Sequence, residues 1–157
     1  MTEIAIRPAT IADAATFDEI DTGLAPTHGA GLSGATSCSF LAEAADGKAA
    51  GFLEARFAGD DIEIIMLAIR PDIRRHGIAT RLLEALTKTA EHHPSGRIVL
   101  EVAEDNAPAR RLYAVNGYRE IARRPGYYRT GRSGDACDAL LLEYRLTGAG
   151  PGQDMQA

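Results

Sequence analysis

The chain has 157 residues, 45% of them hydrophobic and 25% charged, which suits one globular domain and excludes a disordered or fibrous chain. A net charge of −5 without finger-type Cys/His spacing argues against nucleic-acid binding, and no apolar run reaches membrane-spanning length. The N-terminus shows no basic segment followed by an apolar stretch, and Cys38 and Cys137 lack metal-ligand spacing, so free thiols in a reducing cytoplasm, with no metal and no membrane, are expected.

The charge is uneven. Residues 1–66 hold 11 acids and 3 bases, whereas residues 67–157 hold 11 acids and 14 bases. A basic half suits a phosphate-rich ligand, and an acidic half suits either a cationic substrate or a solvated surface.

In chain order, Ile4 and Ile6 mark a short strand ending at Arg7-Pro8. Thr10 caps a helix to about Asp21, with Asp13 three residues on as a variant capping box. Residues 23–39 are rich in Gly, Ser and Thr and read as a loop, either bordering a substrate site or serving as linker. Phe40 to Ala44 and Ala49 to Phe57 read as strands about an Asp46-Gly47 hairpin turn. Gly59-Asp60-Asp61 then turns the chain into a third strand.

In that strand Ile62, Ile64, Ile65, Met66, Leu67 and Ile69 leave no room for a solvated face, which predicts burial on both faces. Pro71 stops it. After the basic turn Arg74-Arg75-His76-Gly77 a helix is expected from Ile78 to His92, because Ile78, Leu82, Leu83, Leu86 and Ala90 fall at helical spacing. A basic, glycine-containing turn that opens a helix offers free N–H groups and the positive dipole end to an anion. His92 and His93 read as end-of-helix residues. Ile98 to Ala103 predicts a strand parallel to 62–69, buried except for Glu101. Asn106 caps the next helix and Asn116-Gly117 closes it. Tyr118 to Arg123 reads as a strand, Pro125 to Asp135 as a loop, and Cys137 to Leu146 as the last strand. The expected domain spans 1–146, with 147–157 a disordered tail.

Arg74-x-x-Gly77-x-Ala79 between a strand and a helix resembles the pyrophosphate-binding motif of the Gcn5-related N-acetyltransferase (GNAT) superfamily. The stretch Leu100 to Tyr118, with Glu101, Asn106 and Leu112-Tyr113, is similar to the RimI-type ribosomal-protein alanine N-acetyltransferases, as are Arg124 to Tyr128 and Asp138-Ala139. The resemblance implies an α/β (α+β) fold: a mixed, mostly antiparallel sheet with helices on both faces and one splayed parallel strand pair. It implies acetyl-coenzyme A as donor, held by Leu67, Ala68 and Ile69 along the pantetheine arm, by Arg74, Arg75, His76, Gly77, Ile78, Ala79 and Thr80 at the pyrophosphate, and by Asn106.

Acetyl transfer to an amine needs a proton acceptor for the ammonium, donors for the carbonyl oxygen and a proton for the departing thiolate. Glu101 is the candidate base, since a carboxylate in an apolar strand is desolvated; it reads equally as half of an ion pair with a nearby arginine. Tyr113 is the candidate acid, or else a core aromatic. The resemblance implies the catalytic role for each, and direct transfer in a ternary complex. The chain departs from the RimI pattern in its first third, which has no Trp. The acceptor therefore stays open between a protein N-terminus, such as that of a ribosomal protein, and a small amine. A non-catalytic coenzyme A sensor is the reading from another class.

Overall fold

The computed structural model describes residues 3–20, 32, 36–128 and 135–146. Seven strands form one sheet: β1 (Ile4–Pro8), β2 (Phe40–Ala44), β3 (Ala49–Ala58), β4 (Asp61–Ile69), β5 (Arg97–Ala103), β6 (Arg119–Tyr128) and β7 (Cys137–Arg145). Their order is β1-β2-β3-β4-β5-β7-β6, and every neighbouring pair is antiparallel except β4–β5. The exception follows from the crossover. Helix α2 (Ile78–Ala90) carries the chain from the end of β4 back to the start of β5, which makes the two parallel.

Helices cover both faces. Consecutive β3 residues point to opposite sides, Phe52 toward α1 (Ala14–Ile20) and Leu53 toward α2. Phe17 of α1 stacks on Phe52 with ring centroids 4.0 Å apart. On the other face α2 buries Ile78, Leu82, Leu83, Leu86 and Ala90, the stripe read from the sequence. Each fully buried Leu or Ile there contributes roughly 1.5–3 kcal/mol. Helix α3 (Ala107–Val115) joins the same core through Tyr113.

The turn readings hold in detail. Asp13 accepts from the Thr10 N–H at 2.9 Å and also takes Arg7, although the helix there begins as a short 3-10 turn, Ile11–Asp13. At the end of α3, Gly117 sits at φ +90°; its N–H reaches the Ala114 carbonyl at 3.1 Å while the Tyr118 N–H reaches Tyr113 at 3.0 Å. This paired closure needs the left-handed residue that glycine supplies. His93 stacks on Phe57 at 3.9 Å, as a structural residue would. Among the described residues no helix is long and apolar enough to cross a membrane, and no His/Cys/Asp/Glu cluster could hold a metal. Of the expected 23–39 loop only Leu32 and residues 36–39 are described; the 147–157 tail lies outside the described residues.

Two expectations are corrected. β6 does not stop at Arg123 but runs through Pro125 and Gly126 to Tyr128. It is an edge strand, where a proline costs no ladder bond. β4 is buried only at Ile62 and Ile64; Ile65 is 42% exposed and the residues after it are only partly covered.

An ion cluster ties β4 to β7 at the end where β4 and β5 are still paired. Glu143 of β7 is 1% exposed and accepts from Arg119 at 2.8 Å, Arg145 at 3.0 Å and Arg97 at 3.1 Å. Arg97 also holds Asp61 of β4 at 2.8 Å. The Arg119 hydrogen bond, then those of Arg145 and Arg97, outweigh desolvation and bring the Glu143 carboxyl down to about 2. A lowered folded-state value means stability that is present above the ordinary value of 4.5 and lost as pH falls toward 2. Glu143→Gln is therefore expected to cost about 2–3 kcal/mol at pH 7, by leaving three guanidinium groups without their carboxylate. Urea unfolding at pH 7 and pH 3 checks it: the gap to wild type narrows at the lower pH, and an equal gap at both contradicts the charge argument.

Candidate active site

β4 and β5 pair at only three positions, Asp61–Arg97, Ile62–Ile98 and Glu63–Val99, and then part. The cause lies on the other side of β4. Opposite β3, Glu54 faces Met66 and Ala55 faces Ile64, so Ile65 is an extra residue. Such a bulge bends and over-twists its strand. Beyond it β4 stays with β3 through Leu53–Leu67, Phe52–Ala68 and Gly51–Ile69. Gly51 permits that closeness, since a Cβ there would lie 2.7 Å from the Ala68 carbonyl oxygen. The edge of β4 that would have met β5 is left open over residues 64–69.

A cleft of about 710 Å³ fills the gap. Its walls include Leu67, Ala68 and Ile69 from β4, Arg74, Arg75 and Gly77 from the turn, and Ile78, Ala79 and Thr80 from the first turn of α2. Asn106 and Tyr113 close it from α3. Gly77, the N-cap of α2, sits at φ +74°, and no side chain caps the helix start. Arg75 holds φ +66°, the one positive φ outside glycine among the described residues, at a cost of roughly 1–2 kcal/mol. Arg74 donates to the Ile69 carbonyl at 3.1 Å, and neither guanidinium is ion-paired among the described residues. A helix N-terminus with two guanidinium groups that no carboxylate neutralises among the described residues suits a diphosphate. The open strand edge and apolar floor suit an amide-bearing chain.

Thr80 accepts from the Asn116 amide at 3.2 Å, which pins the start of α2 to the end of α3. Asn106 caps α3, its side-chain oxygen accepting from the Ala109 N–H at 3.3 Å. His76 is not brought into the cleft. It lies 3.0 Å from the Ile73 carbonyl and faces a separate groove with Ile4, Ala44 and Arg81. Met66, Ile73, Pro108, Ala109 and Leu112 line the cleft without having been assigned to the donor site from the sequence. Asn106, Ala109, Leu112 and Tyr113 share one helix face at three- and four-residue spacing, a signal that could have found two of them.

Tyr113 and Glu101 lie on opposite sides of the split. Tyr113 is 6% exposed and packs edge-on against Tyr118 at 5.4 Å, and burial pushes its hydroxyl up to about 12. Glu101 follows the last β4–β5 pair by two residues. Ile98, Leu100 and Val102 point into the α2 core, whereas Val99, Glu101 and Ala103 face the other way. The expected desolvation of Glu101 is corrected: it is exposed, and it makes the arginine ion pair that was its other reading, with Arg124 Nη2 3.1 Å from its Oε1. The same Arg124 lies over the Tyr127 ring at 5.5 Å.

Known proteins agree with this geometry. The model of the Acetyltransferase (GNAT) family matches residues 9–118. The [Ribosomal protein bS18]-alanine N-acetyltransferase of Escherichia coli K12 is 34% identical over 99 residues, 62% of this chain and 64% of that protein. The chain spans just under two thirds of the length of the curated relatives it matches. The crystal structure of the Escherichia coli ribosomal-protein-S18-alanine N-acetyltransferase superposes with a TM-score of 0.84 and 25% identity, covering 95% of this chain and 97% of that one. Arabidopsis thaliana NAA60 in complex with acetyl-CoA shares the fold at a TM-score of 0.77 and 21% identity, over 93% of this chain and 100% of its own.

Proposed function

The chain belongs to the GNAT acetyltransferase family, and from that premise we propose that it moves an acetyl group from acetyl-coenzyme A to the α-amino group of a protein N-terminus. One observation carries the reading. The sheet is open between β4 and β5, with a phosphate-suited cleft and Tyr113 on one face and Glu101 on the other. Donor and acceptor can then approach from opposite sides and meet in the split.

The residues divide the work as the chemistry requires. The α2 N-terminus with Arg74 and Arg75 holds the pyrophosphate, and the open edge at Leu67, Ala68 and Ile69 pairs with the pantetheine amides. Acetyl-coenzyme A supplies the activated acyl group as a thioester. Glu101 takes one proton from the acceptor ammonium, the amine nitrogen forms its bond to the acyl carbon and sheds its second proton to solvent, and the carbon–sulfur bond breaks. An N–H of the open β4 edge steadies the charge that develops on the carbonyl oxygen. Tyr113 gives its proton to the departing sulfur and regains one from solvent.

A protein N-terminus is favoured over a small amine because, among the described residues, nothing encloses Glu101: it is exposed, and Tyr127, which shares Arg124 with it, is 52% exposed. The test is a panel of peptides and small amines with acetyl-coenzyme A, followed by thiol release and mass spectrometry. Peptides beginning with Ala are expected to be acetylated at the α-nitrogen and to be inert when that nitrogen is blocked. Turnover confined to small amines would replace the peptide reading, and cofactor binding without turnover on either panel would favour a sensor.

A further inference from the structure

Glu101 already holds a cation, and that cation belongs to the chain itself. Among the described residues its ion partner is Arg124, at 3.1 Å, and the same guanidinium lies over the face of Tyr127, 5.5 Å from the ring centroid. A carboxylate facing an aromatic ring is a site for a positive charge. We propose that the Arg124 guanidinium occupies the position of the acceptor ammonium and must be exchanged for it, so that Arg124 sets which amines gain access to the base. The inference rests on the acetyl-transfer reading above.

The backbone is shaped to deliver this arginine. Between the Arg124–Ala139 and Tyr128–Cys137 pairs, β6 carries two more residues than β7, which gives a local bulge. Gly126 at its centre takes φ +60°, and its N–H is held by Asp138 Oδ1 at 2.9 Å. The bulge carries Arg124 on one flank and Tyr127 and Tyr128 on the other, with the two tyrosine rings edge-to-face at 5.2 Å. An irregular edge strand re-aims side chains in this way. The arginine is also 62% exposed, so it can swing into solvent without unpacking a core.

The chemistry favours the exchange. Guanidinium does not give up its proton at working pH, so the Oε1 that Arg124 holds takes nothing from an amine, and the positive charge beside it repels an ammonium that approaches Oε2. The entering group must itself be a cation to replace what it displaces. An α-ammonium on a free chain end meets that condition, whereas a neutral amine would leave Glu101 attached to Arg124. The contact is exposed and so weak enough to break, being worth a threefold to tenfold change in affinity, to an order of magnitude of about one power of ten.

The experiment compares wild type, Arg124→Gln and Arg124→Lys with an acceptor that the wild type turns over. Arg124→Gln is expected to lower the KM of the acceptor about three- to tenfold and to raise kcat/KM accordingly, with the KM of acetyl-coenzyme A unmoved. Arg124→Lys restores most of the wild-type KM. Methylguanidinium competes with the acceptor in Arg124→Gln and does so far less in the wild type. A higher acceptor KM in Arg124→Gln, or a lower kcat at constant KM, overturns the gate and makes Arg124 a positioning group for Glu101. A wild type that turns over no amine defeats the acetyl-transfer reading separately. Calorimetry still decides the gate in that case: tighter methylguanidinium binding to Arg124→Gln than to wild type supports it, and equal binding overturns it.

Discussion

Glu101→Gln is expected to lower kcat by about 10²–10⁴-fold while leaving the affinity for acetyl-coenzyme A within about twofold. The substitution keeps size and shape and removes the capacity to accept a proton together with the charge that holds Arg124. Three features of the site keep the two effects apart. Glu101 is exposed, so no packing is lost. It does not line the cleft between β4 and α3, so the donor loses no contact. Its Arg124 contact is a surface ion pair of about 1 kcal/mol or less, so the fold is little affected. Stopped-flow thiol release gives kcat, and calorimetry with coenzyme A gives the affinity. A kcat within threefold of wild type would move the proton acceptor elsewhere on the same face. Glu63, across the strand pair from Val99 and tied to Arg56 at 2.7 Å, is one carboxylate on that face.

The same residues show what the sequence could and could not disclose. The α2 stripe was legible because helical periodicity is local and each of its five positions is buried. The strand order near the split was legible from one crossover helix, but the split itself was not. Apolar residues at Leu67 to Ile69 look the same whether protein or a ligand covers them. The bulge at Ile65 follows a single polar position, Glu63, and one broken alternation in an otherwise apolar stretch is too short a signal to reveal it. The desolvation expected of Glu101 failed for a related reason. Ile-Val-Leu-Glu-Val-Ala reads as a solid apolar strand, yet its carboxylate marks the open face of an ordinary period-two strand. In β6, Pro125 and Gly126 punctuate the sequence like a loop, and only the edge position of the strand makes them compatible with pairing. The Glu143 cluster joins residues 36 to 46 positions apart through Arg97, a convergence that no local pattern encodes.

Tyr113→Phe is expected to lower kcat by about 10²-fold, the smaller end of the range for a lost proton donor. The magnitude follows from acidity. Burial holds the Tyr113 hydroxyl up to about 12, whereas a thiol ionises near ~8.5 in water. Proton transfer to a fully hydrated thiolate would then run uphill. It becomes favourable only if the sulfur departs into the same dry pocket, where desolvation raises its own affinity for a proton. The packing that positions the ring survives, because the edge-on contact with Tyr118 needs no hydroxyl. The pH behaviour follows with a definite sign. With its value raised, the hydroxyl stays protonated through pH 10, so wild-type kcat shows no alkaline loss from this group below about pH 11. Between pH 10 and 12 an unfolded tyrosine ionises while the buried one keeps its proton, so stability falls as pH rises; Tyr113→Phe lacks that contribution. Cys38, also pushed by burial to about 12, adds a loss in the same direction in both proteins. Rates from pH 6 to 10 and urea unfolding at pH 7 and 11 test both parts. A kcat reduced less than threefold would mean that the thiolate leaves unprotonated, and that Tyr113 serves as a wall of the cleft whose hydroxyl plays no part in the chemistry.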